Sequence, residues 1–430
     1  MKRFFQFAER ETTYRKETLA GVTTFLSMAY ILVVNPIILS QAGMDKGALF
    51  TATALSAIVG SLLIGILANF PIGIAPSMGL NSFFTFSVCI GMGVHWEIAL
   101  TGVFIAGIIF MILSVMKIRE KIINVIPQDL KFAIAGGIGF FVAFIGFKNA
   151  GLVVSNPETF VSIGDLSSPA TLLAVFGFII TLMMLVKGIK GGIFYGMVAT
   201  TVIGMIVGKI DVPHSVIGKV PSLDPTFGVV FTHLGDIFTL EIMAVIFTFL
   251  FVAFFDTAGA LIAVASQAGI MKDNQIPNAG RALLADSASG VAGAIFGTST
   301  TASFVESSAG VAVGGRTGFT SVVIAICFTI ALFFSPVLSV ITPEVTAPAL
   351  IIVGALMATE VRHINWNRLE VVIPSFVTII MMPLTFSVAT GIALGFILYP
   401  FAMISLKKWK EVHPIMYILC GLFILYFAFS

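Results

Sequence analysis

Charge is what this chain has least of. Of its 430 residues 10% are charged and 58% are hydrophobic, whereas a soluble domain carries about 25% charged residues. That excludes a soluble protein and implies a polytopic membrane protein. Cysteine is scarce too. Cys89, Cys327 and Cys420 are far apart and show no redox or metal spacing, so no disulfide framework is expected. The five histidines, His95, His214, His233, His363 and His413, all fall in or beside predicted loops. Neither HExxH nor GxSxG occurs, which excludes the familiar intramembrane hydrolase chemistries. The formal net charge of +2 indicates no partner, and no nucleic acid, metal or cofactor is expected. The opening MKRFFQFAERETTYRKE is too charged for a signal peptide and has no cleavage region, so the first apolar segment is expected to stay in the protein.

What is present is a succession of apolar runs. They fall at about 18–39, 50–69, 75–93, 98–116, 132–152, 169–187, 191–208, 240–266, 282–297, 300–314, 317–340, 346–359, 369–386 and 389–405, which makes fourteen. An apolar tail, 415–429, follows the basic cluster Lys407–Lys410 and has the length of either a short span or an interfacial helix. With the N-terminus in the cytoplasm, every Lys and Arg but Lys46, Lys148, Lys209 and Lys219 lies on the inside. This bias supports both orientation and segment count. A one-segment error in the middle would scramble it.

Two segments do not read as continuous helices. The third, PIGIAPSMGLNSFFTFSV from Pro71, holds two prolines, two glycines and Asn81. The tenth lies in GTSTTASFVESSAGVAVGG, Gly297 to Gly315, where seven of the first fourteen residues are Ser or Thr and Glu306 sits in the middle. Broken elements at corresponding places in two halves point to a transporter site. A repeat is visible elsewhere. ETLAGVTTFLSMAY from Glu17 matches EIMAVIFTFLFVAF from Glu241 at Glu, Ala20/Ala244, Thr24/Thr248, Phe25/Phe249, Leu26/Leu250 and Ala29/Ala253. In the seventh spans GGIFYGMV resembles TGIALGFI. Seven spans per half is odd, so the second half must be inverted. The expected fold is all-α and polytopic, a 7+7 inverted repeat with two short strands, at Ala75–Met78 and about Thr300–Phe304, that pair with each other.

The residues that could carry chemistry are intramembrane acids and an amide. An ionisable group at membrane depth costs roughly 2.5–3.5 kcal/mol on insertion scales and so marks function. Glu306 and Asp256, in the tenth and eighth segments, have no basic residue nearby in sequence. They are either protonated or facing water or ligand donors. Asn81 offers both donor and acceptor, or serves as an N-cap for the half-helix that follows. Asp286 has two readings, an ion pair with Arg281 or a proton-carrying acid. Phe304 is set among small residues that leave room for a flat ligand. Gly79, Phe83 and Thr257 are further candidate contacts. Acids, an amide and aromatics suit a flat heterocycle with N–H or amino donors. An inorganic anion would be repelled, although an anion carrier or channel on the same broken-helix architecture is the competing class.

At these residues the chain resembles a known family. AGVTTFLSMAYILVVNP (20–36), APSMGLNSFF (75–84), FFDTAGAL (254–261) and GTSTTASFVESSAGVAVGGRTG (297–318) are similar to the AzgA-like purine permeases, a branch of the nucleobase–ascorbate transporter superfamily. The resemblance covers essentially the whole chain. It implies a core domain from segments 1–4 and 8–11 (15–117 and 236–342), and a gate domain from segments 5–7 and 12–14 (118–210 and 343–410). The tail 411–430 lies outside both. It further implies a homodimer in the plasma membrane, surrounded by lipid. The implied activity is proton-coupled purine uptake by elevator-type alternating access, with hypoxanthine and guanine as substrates on the strength of the VVNP run. The family's purine contacts map onto Asn81, Asp256 and Glu306, and Phe304 stands where relatives place an aromatic against the base. Glu306, Asp256 and Asp286 are the expected proton-coupling acids.

Overall fold

The structure is a computed structural model that describes residues 2–116, 127–213, 215–270, 278–339 and 341–429. Lys117, Arg119, Lys121 and Lys272, which contribute to the inside charge bias, lie outside the described residues. Each expected apolar run is met by a helix or by an interrupted one. Helices α1 (Tyr14–Met28) and α2 (Ile31–Ser40) form the first segment, and α3 (Lys46–Leu67) the second. Strand β1 (Ile74–Pro76), α4 (Met78–Ser82) and the π-helix Phe83–Gly91 form the third, and α5 (Trp96–Val115) the fourth. Helix α6 (Gln128–Asn149) is the fifth segment. A hairpin of β2 (Val153–Asn156) and β3 (Phe160–Ile163) leads from it to α7 (Pro169–Val186) and α8 (Gly192–Ile206). The second half repeats this order with α9 (Leu240–Gln267), α10 (Ala279–Phe296), β4 (Thr301–Ser303) with α11 (Ser307–Ala312), and α12 (Gly318–Ala331). A 3-10 turn and α13 (Ser335–Ser339) extend α12, after which α14 (Pro343–Ala358), α15 (Leu369–Leu384) and α16 (Val388–Ser405) complete the half.

The apolar tail forms one more helix, α17 (Pro414–Phe429). It packs along α16, with the Cys420 Sγ 3.9 Å from the Ile397 carbonyl and the Phe423 ring 5.8 Å from Phe396. Helices such as α3 and α6 are long and apolar enough to cross a membrane.

The two interrupted segments meet. β1 and β4 pair antiparallel, Ile74 opposite Ser303, Ala75 opposite Ala302 and Pro76 opposite Thr301. The Ser77 N–H to the Thr300 carbonyl and the Phe304 N–H to the Gly73 carbonyl, both 2.9 Å, extend the ladder. Extended backbone at membrane depth survives only where protein satisfies it, and here serine hydroxyls do so. Ser321 Oγ accepts from the Ile72 N–H, Ser307 Oγ from Gly73 and Ser61 Oγ from Ile74, at 2.9, 3.0 and 3.2 Å. The fold is therefore fourteen segments in a 7+7 inverted repeat, joined at its centre by one strand from each half.

Two local expectations shift. The first strand ends at Pro76 rather than Met78, because Met78 already begins α4. The first segment is broken at Ala29 and Tyr30, where neither Gly nor Pro stands. The carbonyls of Ala29 and Tyr30 accept from Leu32 and Val33 three residues on, a tighter turn than the α-helix makes. Pro36 lies inside α2, beyond the break.

Glu17, one of the residues matched between the halves, has a role of its own. It is fully buried in the first turn of α1, and its carboxylate holds the backbone that leads into α12. Oε1 accepts from the Arg316 N–H at 3.0 Å, and Oε2 from the Thr317 N–H at 3.3 Å and from the Thr320 hydroxyl. Leaving buried donors unpaired costs about 1–3 kcal/mol each. Glu17→Ala strands several at once and should lower the detergent-solubilised protein's unfolding temperature strongly, whereas Glu17→Gln, which keeps one acceptor, should lower it less. Equal unfolding temperatures for wild type and Glu17→Ala would refute this role.

Candidate functional site

Glu306 opens the site. It follows β4 directly and stands at the N-cap of α11 with helical backbone angles, so its side chain does not cap that helix. Its carboxylate instead meets Tyr30 from the break in the first segment, whose hydroxyl donates to Oε1 at 2.7 Å. Glu306 is half-exposed and the adjacent Val305 exposed, whereas Phe304 and Tyr30 are buried. An ionised carboxylate at the edge of an apolar core can only accept hydrogen bonds, so it suits a ligand that presents donors.

Asn81 lies across the strand pair. It is the fourth residue of α4 rather than its cap, since Ser77 holds the cap position. Its Nδ2 donates to Asn35 Oδ1, while Asn35 Nδ2 donates to Thr53 Oγ1 at 2.7 Å and Thr298 Oγ1 at 2.9 Å. The amide is thus tied through Asn35 to the second segment and to the stretch before β4. Among the described residues Asn81 Oδ1 is left buried with no hydrogen-bond partner, the kind of exception that needs an explanation. Helix α2 connects both halves of the site, because Tyr30 at its start holds Glu306 and Asn35 within it holds Asn81. Five residues separate the two along the chain, a rise of about 7.5 Å.

Asp286, buried on α10, has hydroxyl partners. Thr257 Oγ1 donates to Oδ2 at 2.7 Å, and Ser303 Oγ lies 3.5 Å from Oδ1. Ser303 belongs to β4, so Asp286 contacts the strand that leads to Phe304 and Glu306. Arg281, its other expected partner, is exposed. A small void beside Asp286 is lined by Phe110, Phe249, Ser287, Thr300 and Thr301 among others. Asp256 falls on α9 one residue before Thr257, and its side chain lies outside the described residues. Phe83 is buried edge-to-face on Phe249, ring centroids 5.0 Å apart, and is committed to packing. Gly79 is a close approach, since a Cβ there would lie 2.5 Å from Ile138 Cγ2 of α6.

The site so assembled presents acceptors and apolar walls. Sequence reasoning missed Tyr30 and Asn35, although both lie in the run AYILVVNP. Their signal was a polar group at membrane depth, the criterion that singled out Glu306, but weaker because neither residue ionises readily. Glu306, Phe304 and Asp286 are connected through β4, and Asn81 approaches from the other strand's helix.

A model of the Xan_ur_permease family, described as a permease family, matches residues 15–394. The chain is 57% identical over 438 residues to the guanine/hypoxanthine permease PbuG of Bacillus subtilis (strain 168), with 100% of each covered. It is 40% identical over 432 residues to the adenine permease AdeQ of Escherichia coli (strain K12), covering 99% of this chain and 95% of that one. Among solved structures, the transmembrane domain of a cyanobacterium bicarbonate transporter, BicA, matches with TM-score 0.67 over 87% of this chain and 97% of that one. Its 15% identity makes this a likeness of fold. The chain belongs to this permease family, within the nucleobase–ascorbate transporter superfamily, and is a multi-pass membrane transporter rather than an enzyme.

Proposed function

We propose that this permease takes up purine nucleobases, hypoxanthine and guanine in preference to adenine, across the plasma membrane, with the proton gradient as its energy source. The observation that carries the reading is Glu306, a half-exposed carboxylate steadied by Tyr30 at the end of a membrane-buried strand. Hypoxanthine and guanine present a ring N–H beside the C6 carbonyl, and guanine adds an amino group on the same edge. A carboxylate accepts such paired donors, and these charge-assisted bonds are the strong ones. Adenine has a lone pair at that ring nitrogen, which a carboxylate repels. Asn81 Oδ1 supplies a further buried acceptor. Full-length identity to a guanine/hypoxanthine permease above that to an adenine permease supports the same preference.

In this reading Glu306, Asp256 and Asp286 are the acids among which the coupling proton is held, and Phe304 stacks against the base. Segments 1–4 and 8–11 form the core, 15–117 and 236–342, and segments 5–7 and 12–14 the gate, 118–210 and 343–410. The packing supports that division: α3 lies against α10 and α12, while α6 lies against α14 and α15. The gate supports a homodimer, and an elevator-like slide of core against gate carries the base. Gly79 on Ile138, and the Ser87 hydroxyl donating to the Phe386 carbonyl at 3.2 Å, are then core–gate contacts. The N-terminus lies in the cytoplasm.

Purified protein in proteoliposomes tests the reading. Labelled hypoxanthine and guanine should accumulate when the outside is acidic, and accumulation should fall as external pH rises or when a protonophore is added. Adenine should compete poorly. Bicarbonate transport with purine indifference would instead establish the anion-carrier alternative. A Glu at position 306 argues against that alternative, since a carboxylate repels an anion.

A further inference from the structure

Asn35, Thr53, Asn81 and Thr298 are fully buried and form one polar network, drawn from α2, α3, α4 and the stretch before β4. The two ends of an amide have nearly the same shape, so which end faces which neighbour follows from the hydrogens around it. Thr53 decides it here. Its Oγ1 lies 2.6 Å from the Leu49 carbonyl oxygen, one turn back on α3. Two oxygens that close share a hydrogen, and a carbonyl has none, so the single hydrogen of Thr53 goes to Leu49. Toward Asn35, 2.7 Å away, Thr53 is therefore only an acceptor, and the Asn35 amide must turn its nitrogen to it. The same nitrogen donates to Thr298 Oγ1 at 2.9 Å. Asn35 Oδ1 is then the end that faces Asn81, so Asn81 must present its nitrogen to Asn35. The end left over is Asn81 Oδ1, which is buried and has no hydrogen-bond partner among the described residues.

We propose that Asn35, oriented by Thr53, is a positioning residue that fixes Asn81 as a hydrogen-bond acceptor toward the substrate, so that this side of the site selects for a ring N–H. An asparagine held by nothing turns either its oxygen or its nitrogen to a ligand, and so takes a ring N–H or a ring lone pair alike. With the relay in place the second choice requires Asn81 and Asn35 to turn together and the Thr53 hydrogen to leave Leu49, all in a buried setting where each lost bond is costly. This rests on the purine reading, in which Glu306 takes the donors of the pyrimidine edge. The imidazole N–H, which hypoxanthine and guanine both carry, then falls to Asn81. The relay also accounts for a buried asparagine in the run ILVVNP, which is otherwise apolar. An apolar residue there could not pass an orientation from α3 to α4.

Two ligands of one shape test it: hypoxanthine, and its analogue with a ring oxygen in place of the imidazole N–H, which offers lone pairs where hypoxanthine offers a hydrogen. Both affinities are measured on detergent-solubilised full-length protein, with the unfolding temperature as the folding control. Wild type should bind hypoxanthine about tenfold more tightly than the analogue, the scale of one buried hydrogen bond. Asn35→Ala frees Asn81 to turn, and the ratio of the two affinities should fall toward one. Thr53→Val keeps the shape of the side chain and removes only the hydroxyl that dictates the orientation, so it should lower the ratio in the same direction. Thr53→Ser, which keeps the hydroxyl, should restore it. In an Asn81→Ala background Asn35→Ala should leave the ratio unchanged, since Asn35 acts only through Asn81. A residue that merely filled space would weaken both ligands by one factor and leave their ratio at the wild-type value. That result, or a wild type that binds both ligands equally, overturns the proposal while leaving the purine reading intact. A wild-type protein that binds no purine overturns both.

Discussion

Glu306→Gln is expected to abolish gradient-driven purine accumulation while leaving a folded transporter. Gln keeps the length of the side chain and one carbonyl oxygen, so the hydrogen bond from Tyr30 can persist. What changes is the charge and the second oxygen. A carboxylate accepts from two donors, whereas an amide has one acceptor and an N–H2 group that faces the ligand's N–H as donor against donor. Replacing a charged acceptor forfeits about 1.5–3 kcal/mol, which is roughly a 10- to 150-fold loss of affinity. The effect on accumulation should be larger still, because a Gln cannot take up and release a proton. Two measurements separate the roles: hypoxanthine Kd, which should weaken by that factor, and counterflow exchange without a pH gradient at saturating base, which tests movement of the carrier alone. Exchange that persists with accumulation lost identifies Glu306 as the proton-carrying acid. Wild-type accumulation with unchanged pH dependence would remove Glu306 from that role and leave Asp286 or Asp256 to fill it.

Much of this architecture was legible in the sequence, for identifiable reasons. Segment positions follow from hydrophobic length, and the two broken segments follow from Pro71, Pro76 and the Ser/Thr run from Thr298. These are local properties, and strand pairing was the way for two short extended stretches to use their backbone groups. Glu306 was visible because a carboxylate in an apolar segment is costly wherever it points. Contacts that depend on long separations were not visible. Tyr30 reaches Glu306 across 276 residues, and Asn81 reaches Asn35 across 46. Neither Tyr30 nor Asn35 ionises readily, and neither lies in a segment that the sequence shows as interrupted, the feature that drew notice to Asn81. Glu17 was matched to Glu241 as a repeat position, but its hold on the entry to α12 depends on Arg316 and Thr317 lying beside it. The π-helix Phe83–Gly91 could not be read at all, since nearly uniform apolarity in FFTFSVCIG shows no period. The break at Ala29 and Tyr30 lacks the residues that usually announce one. Proline alone does not mark a break, since Pro36, Pro348 and Pro374 sit inside α2, α14 and α15.

Gly354→Leu is expected to destroy the folded protein, although Gly354 lies on α14, outside the polar site. Helices α6 and α14 are the fifth segments of their respective halves, and they cross with backbone against backbone. A Cβ on Gly354 would lie 2.5 Å from both the Ala143 amide nitrogen and the Gly139 carbonyl oxygen. The contact is reciprocal, since a Cβ on Gly139 would lie 2.5 Å from the Ala358 nitrogen and 2.6 Å from the Gly354 oxygen. Gly146 continues the seam against Ile351 and Ala347. This is how helices pack where lipid supplies no hydrophobic drive between them, small residues letting backbones approach. Reciprocity is also what an inverted repeat dictates, because residues near the pseudo-twofold axis meet their own counterparts. Overpacking a core costs about 1–3 kcal/mol when side chains can give way. Here the obstructing atoms belong to helical backbone, which moves only if the whole helix does, so the cost lies at or beyond the top of that range. Size-exclusion of a fluorescent fusion should show the monodisperse peak lost for Gly354→Leu and diminished for Gly354→Ala. Gly421→Leu on α17, where among the described residues no atom of another element lies within 4 Å of the added Cβ, should match wild type. A wild-type profile for Gly354→Leu would mean that α6 and α14 do not cross at this distance. The axis relating the two halves would then have to run elsewhere.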